Sequence, residues 1–159
     1  MIMMNDRIED NAGAFHKAYL FPLMDLHRLL FIELNKLEDY NIFSLIDAYY
    51  QTSIIRAKMD IGNWSALNKG YKQLFNDINM SICDKTHIVV DDSSLRWMAD
   101  IYTLLQWKYK LSSKEMNKIV NAQKLYELYN PLHETSEDKT CEKIYNNFIM
   151  RSRDGDKTI

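Results

Sequence analysis

Only two cysteines, two prolines and four glycines occur in the 159 residues of this chain, and each scarcity excludes something. Cys83 and Cys141 cannot build the dense disulfide framework of a small secreted scaffold, so reduced thiols and a cytoplasmic location are expected. Glycine and proline together are too few for the many tight turns of a sandwich or barrel. The glycines stand isolated at 13, 62, 70 and 155, so no glycine-rich loop can wrap a nucleotide through its backbone N–H groups. No apolar run approaches the roughly 20 residues that cross a bilayer, and the opening MIMMNDRIEDN is too polar for a signal peptide. A preponderance of one charge is also missing: the formal net of −2 offers phosphate no general attraction.

What is present is a foldable, aromatic-rich chain. Apolar residues make up 47% and aromatics 12%, far from the composition of disordered proteins. The length fits one domain. We expect a single all-α domain over residues 1–150, a compact bundle of six to eight helices, and a flexible tail at 151–159, with Met1 to Asn11 as a frayed start. The charge is unevenly spread. Between residues 95 and 124, Arg96, Lys108, Lys110, Lys114, Lys118 and Lys124 face only Asp100 and Glu115, so a basic centre sits between acidic ends.

Serines 93 and 94 followed by Leu95–Tyr109 predict the central helix, at about 94–109. Large apolar side chains fall on nearly every face of it, so it must be covered on several sides. Leu95, Met98, Ile101, Tyr102 and Leu105 should be buried, and Asp92, Ser93 or Ser94 should cap its start. Leu23, Leu26, Leu30, Leu34 and Leu37 predict an earlier helix with Pro22 in its first turn, after a short one through Phe15 and Tyr19. Phe43–Met59 reads as a third helix, with Phe43, Ile46, Tyr50, Ile54 and Ala57 on its buried face, and Trp64–Ile82 as a fourth, weakened at Gly70. Gly62 and Asn63 are breakers, and Thr86–Val90 is an extended connector. Ser112-Ser113-Lys114-Glu115 matches a capping box that opens a helix to Val120. Asn121 caps Gln123–Tyr129, which Asn130-Pro131 ends, and Thr135 or Ser136 starts the last helix through Cys141, Ile144, Tyr145 and Phe148.

Motifs for chemistry are weak. His133-Glu134 lacks the second histidine of a zinc-protease helix, since position 137 is Glu. Cys83, His87, His133 and Cys141 supply zinc-ligand types at spacings that match no compact zinc module. Glu9-Asp10, Glu38-Asp39 and Asp91-Asp92 sit where acids usually cap helices and oppose the dipole. No catalytic residue, cofactor or metal site is therefore assigned; His27, Glu33, His133 and Glu134 are the acid/base or metal groups to test first. Two binding readings remain. Trp97, Tyr102, Trp107, Tyr109, Tyr126, Tyr129 and Tyr145 suit a protein interface and equally a core with half-buried polar tips. Residues 111–128, two short helices around Asn121, outline a degenerate helix-turn-helix for DNA.

The run WMADIYTLLQWKYKLSSKEMNKI, with QKLYELYNPLHE and CEKIY, resembles small uncharacterised helical proteins of low-GC Gram-positive bacteria and their mobile elements over residues 91–148. The resemblance implies a compact helical module from a mobile-element, phage, toxin–antitoxin or anti-defence setting, and assigns no active residues. The leading expectation is a non-enzymatic cytoplasmic protein that occupies a protein partner as an anti-defence inhibitor, antitoxin or regulatory subunit. Trp107, Lys108, Lys110 and Lys114 are its expected partner-binding residues, at least partly exposed near the junction at 110–113. No membrane partner is expected. A small DNA-binding regulator is the alternative.

Overall fold

The structure, a computed structural model, describes residues 16–157 and is all-α, as the periodicity predicts. A single turn of 3-10 helix leads into α1 (Leu20–Asn35), and α2 (Ile42–Thr52) meets α3 (Ile54–Asp60) at Ser53. The short helices α4 (Trp64–Leu67) and α5 (Tyr71–Asn76) follow, then the long α6 (Asp92–Tyr109). After it come α7 (Ser113–Ile119), α8 (Ala122–Glu127), α9 (Tyr129–Leu132) and α10 (Glu137–Ile144), which continues through a π-turn at Tyr145–Ile149 into α11 (Met150–Lys157). Among the described residues the nearest approach to a β-sheet is an isolated parallel bridge between Asn41 and Ile88 in the expected connector.

The central helix lies at the centre. α6 packs along α1 and is touched by α7, α8, α9 and α10. Leu95, Met98, Ile101, Tyr102 and Leu105 are all fully buried, and so is Gln106. Its N-cap is Asp91, one residue before the expected candidates: Asp91 Oδ2 accepts from Ser94 N at 3.1 Å and Oδ1 from Ser94 Oγ at 2.7 Å. Four consecutive capping types stand at 91–94, and the one that can also engage Ser94 twice takes the position.

Other departures have local causes. The expected third helix breaks at Ser53, which ends α2 with extended backbone and caps α3 by accepting from Arg56 N. Asp77 fixes the break by accepting from Ser53 Oγ and Ile55 N. The break resets the helical phase, so Ile54 and Ala57, expected inside, are exposed, and α3 buries Arg56, Met59 and Asp60 instead. The expected fourth helix divides at Gly70, whose N–H donates to Gln73 Oε1 to start α5, and Trp64 stands 72% exposed. Pro131, expected to end a helix, sits within α9, near enough to its start that the missing N–H costs no internal bond. The chain beyond 150, expected as a flexible tail, is helical to Lys157, and from it Arg153 reaches Glu115 with Nε at 3.1 Å and Nη2 at 2.7 Å. The frayed start at Met1 to Asn11, Phe15, and the last two residues of the tail lie outside the described residues.

Polar groups are threaded through this core. His27 is fully buried, with Nε2 2.7 Å from the Tyr49 hydroxyl and Nδ1 2.8 Å from Thr103 Oγ1. Thr103 spends its own proton on Ala99 O at 2.7 Å, so it must accept from His27 Nδ1–H, and Nε2 then accepts from Tyr49. The imidazole is thereby fully satisfied as the neutral ring. Burial, reinforced by the nearby Arg56 charge, holds its pKa well below the ordinary histidine range. Arg56 is itself fully buried and donates to Asp60 at 3.2 Å, while its Nε and Nη2, the Tyr50 hydroxyl and Gln106 Oε1 have no partner among the described residues.

Candidate docking cleft

Two aspartates, Asp60 buried and Asp47 half-buried, position the basic part of the chain. Asp60 on α3 accepts from the Ser113 amide at 2.9 Å and its hydroxyl at 2.7 Å, and also from Gln106 Nε2. Asp47 on α2 accepts from the Ala122 amide at 2.9 Å and from Asn117 Nδ2 at 2.8 Å. The first amides of α7 and of α8, which have no partner inside their own helices, are thus each satisfied from another helix. Burial pushes the Asp47 carboxyl above its usual range, against the pull of those two bonds. Gln51 adds a further tie, donating to Lys114 O and to Asn117 Oδ1.

Ser112 and Asn121 cap the same two helices from within, accepting from Glu115 N and Lys124 N. Only half of the expected capping box forms, because the Glu115 carboxylate turns to Arg153 instead of back to the Ser112 amide.

Between α7, α8 and the end of the chain runs an open cleft of ≈ 890 Å³. One wall is α7, with Lys114, Glu115, Lys118 and Ile119; Lys124 of α8 and Gln51 of α2 adjoin it. Asn147 and Phe148 of the π-turn, with Ser152 and Arg153 of α11, complete the lining. Lys124 Nζ lies 5.2 Å from the Phe148 ring centre, within cation–π range. The single carboxylate in the lining among the described residues, Glu115, is held by Arg153. Lys114, Lys118 and Lys124 make no ion pair among the described residues.

The four expected partner-binding residues divide. Lys108 and Lys110 are exposed and Trp107 is half-buried, but none of these three lines the cleft. Lys108 faces Asp138 at 3.7 Å and the Tyr109 ring at 5.7 Å. Lys110 ends α6 in left-handed backbone, φ 52°, donating its N–H to Gln106 O. Lys114 alone joins the cleft, where it meets Lys118, Lys124 and Arg153. Lys114 and Lys118 share a helix face at a spacing of four, a legible signal. Arg153 and Gln51 arrive from distant sequence and left none.

The aromatics read as interface candidates are used largely in packing. Tyr102 is fully buried and donates to Val120 O; Tyr109 stacks on Tyr145 at 3.9 Å between ring centres; Tyr126 packs on Phe43 and Tyr129 on Trp97. The acid/base candidates are scattered. Glu33 pairs with Lys36, His133 is exposed and stacks on Tyr129, and Glu134 is exposed. Cys83 and Cys141 are buried and His87 is exposed; among the described residues, no three His, Cys, Asp or Glu side chains stand close enough to share a metal ion. Nor is any helix there long and apolar enough to cross a membrane. Comparison with known proteins gives no match to a family model, a curated protein or a solved structure.

Proposed function

We propose that the chain is a non-enzymatic cytoplasmic protein that acts by binding and occupying a partner protein, in the manner of an anti-defence inhibitor, antitoxin or regulatory subunit of a mobile element. One observation carries this reading: lysines from α7 and α8 line a concave surface on helices whose first amides are held by Asp60 and Asp47 of other helices. Side chains on a rigid platform lose less entropy on binding than side chains on a mobile loop, and a basic rim accelerates encounter with an acidic partner. Lys108 and Lys110 are exposed outside the cleft, just before the start of α7.

Affinity capture from the native host, followed by kinetics with the captured protein, tests this. The double variant K108E/K110E should slow association at low salt, with the difference shrinking as salt rises. DNA binding is the competing outcome. Retention on random duplex that falls steeply between low and moderate salt, with no protein captured, would overturn the proposal in its favour.

A further inference from the structure

Resting on that reading, we propose that the cleft between α7, α8 and α11 receives a short extended acidic segment of the partner protein, with one apolar side chain seated against Phe148. Among the described residues the lining carries four cations, Lys114, Lys118, Lys124 and Arg153, and one carboxylate, Glu115, which Arg153 engages through both Nε and Nη2. Three ammonium groups are left without a carboxylate partner among the described residues. They differ in setting. All three are exposed; Lys114 and Lys118 stand one turn apart on α7, and Lys124 lies over the Phe148 ring and reaches the Ile119 carbonyl at 3.4 Å. Carboxylates therefore meet Lys114 and Lys118 at the rim, and the apolar side chain meets Phe148 and Ile119, both half-buried, below them.

The same geometry disfavours the other anions. An inorganic anion is held by convergent, desolvated donors, and the two rim ammonium groups here are in water. A duplex held by 6–10 phosphate contacts needs a larger cationic footprint than about three lysines. Moreover Glu127, exposed three residues beyond Lys124 on α8, adds a negative charge to the same short helix. A short peptide that carries its charges over α7 avoids it.

The test is selection of a random dodecapeptide display library on the full chain, followed by affinity measurement with the enriched peptides. The expected consensus has at least three Asp or Glu residues flanking one large apolar residue. K114E/K118E should weaken its binding at least tenfold. K58E/K72E, an equal charge change on exposed lysines outside the cleft, should alter it less than twofold. Phe148→Ala should remove the preference for the apolar residue and keep the preference for acids. Circular dichroism of each variant establishes that it is folded.

Enrichment of neutral peptides, no enrichment over K114E/K118E, or equal loss in both charge variants would overturn the cleft assignment. A captured host protein that binds K114E/K118E as tightly as the original chain would refute the cleft and leave the partner reading standing. Binding of a 20-base-pair duplex by the original chain, with no acidic peptide enriched, would refute both.

Discussion

Removal of the Asp60 carboxylate should be among the most damaging single changes available to this fold. It accepts from Arg56 Nη1 at 3.2 Å, from Gln106 Nε2, and from the amide and hydroxyl of Ser113 at 2.9 and 2.7 Å. Asp60→Ala strands the fully buried Arg56 guanidinium, and breaking one side of a buried ion pair costs about 3–5 kcal/mol. Each Ser113 donor that water does not reach adds about 1–3 kcal/mol. Asp60 retains 9% exposure, however, so water entering at its edge offsets much of that addition. We expect about 3–5 kcal/mol in total, a large share of the roughly 5–15 kcal/mol that holds a typical domain. For a chain of this size that is a fall in Tm of about 6–20 °C. Urea unfolding followed by far-UV circular dichroism measures it, and the denaturant slope should not change. Asp60→Asn, which keeps an acceptor for Ser113, should lose less. The double variant R56M/D60L should recover part of the loss, since replacing both partners by apolar groups removes the stranded charge. A loss below about 1 kcal/mol for Asp60→Ala would refute the reasoning, because it would mean that Arg56 finds water or another anion.

Acid should expose the His27 chain of hydrogen bonds. The ring is neutral in the fold and its folded pKa lies below the unfolded one, so its contribution is fully present above about pH 6.5 and lost as pH falls toward the folded value. Between pH 7.5 and 5.5 the protein should lose stability through this residue, and His27→Gln should abolish that slope in pH-dependent urea titrations; an unchanged slope would assign it elsewhere. Ile101→Ala, at a fully buried site in α6, should cost about 2–5 kcal/mol in the same unfolding measurement, and a shift under 1 kcal/mol would show that the site collapses or is wet. Arg153→Ala should leave Tm nearly unchanged, because the pair it breaks is more than a third exposed, while amide exchange accelerates through α11.

The elements legible in the sequence are those whose signal is local. The apolar residues of α6 recur around the whole helix, and Ser112, Asn121 and Ser136 are capping types placed just before helical runs; all four features appear where expected. Ser53 was illegible because Gln51, Thr52 and Ser53 fit an amphipathic helix, and only Asp77, 24 residues on, selects the break. The cleft was half legible. Four-residue spacing brings Lys114 and Lys118 together, but Arg153 lies in a polar run with the composition of a tail, and its partner is 38 residues away. Asp47 and Asp60 left no signal, since nothing local in the sequence distinguishes them from the surface acids.

The contacts that span the middle of the chain bear on how it could be divided. His27 to Thr103, Arg28 to Asp100, Asp47 to Asn117 and Ala122, and Asp60 to Gln106 and Ser113 each join a residue before 91 to one after it. A cut in the exposed stretch near Lys85 would separate donors from acceptors along this whole seam. Neither piece would hold its buried charges alone, whereas the two together would each supply what the other lacks. The molecule is therefore suited to fragment complementation: co-expressed halves split at that loop should assemble into one folded protein, and either half expressed singly should be degraded.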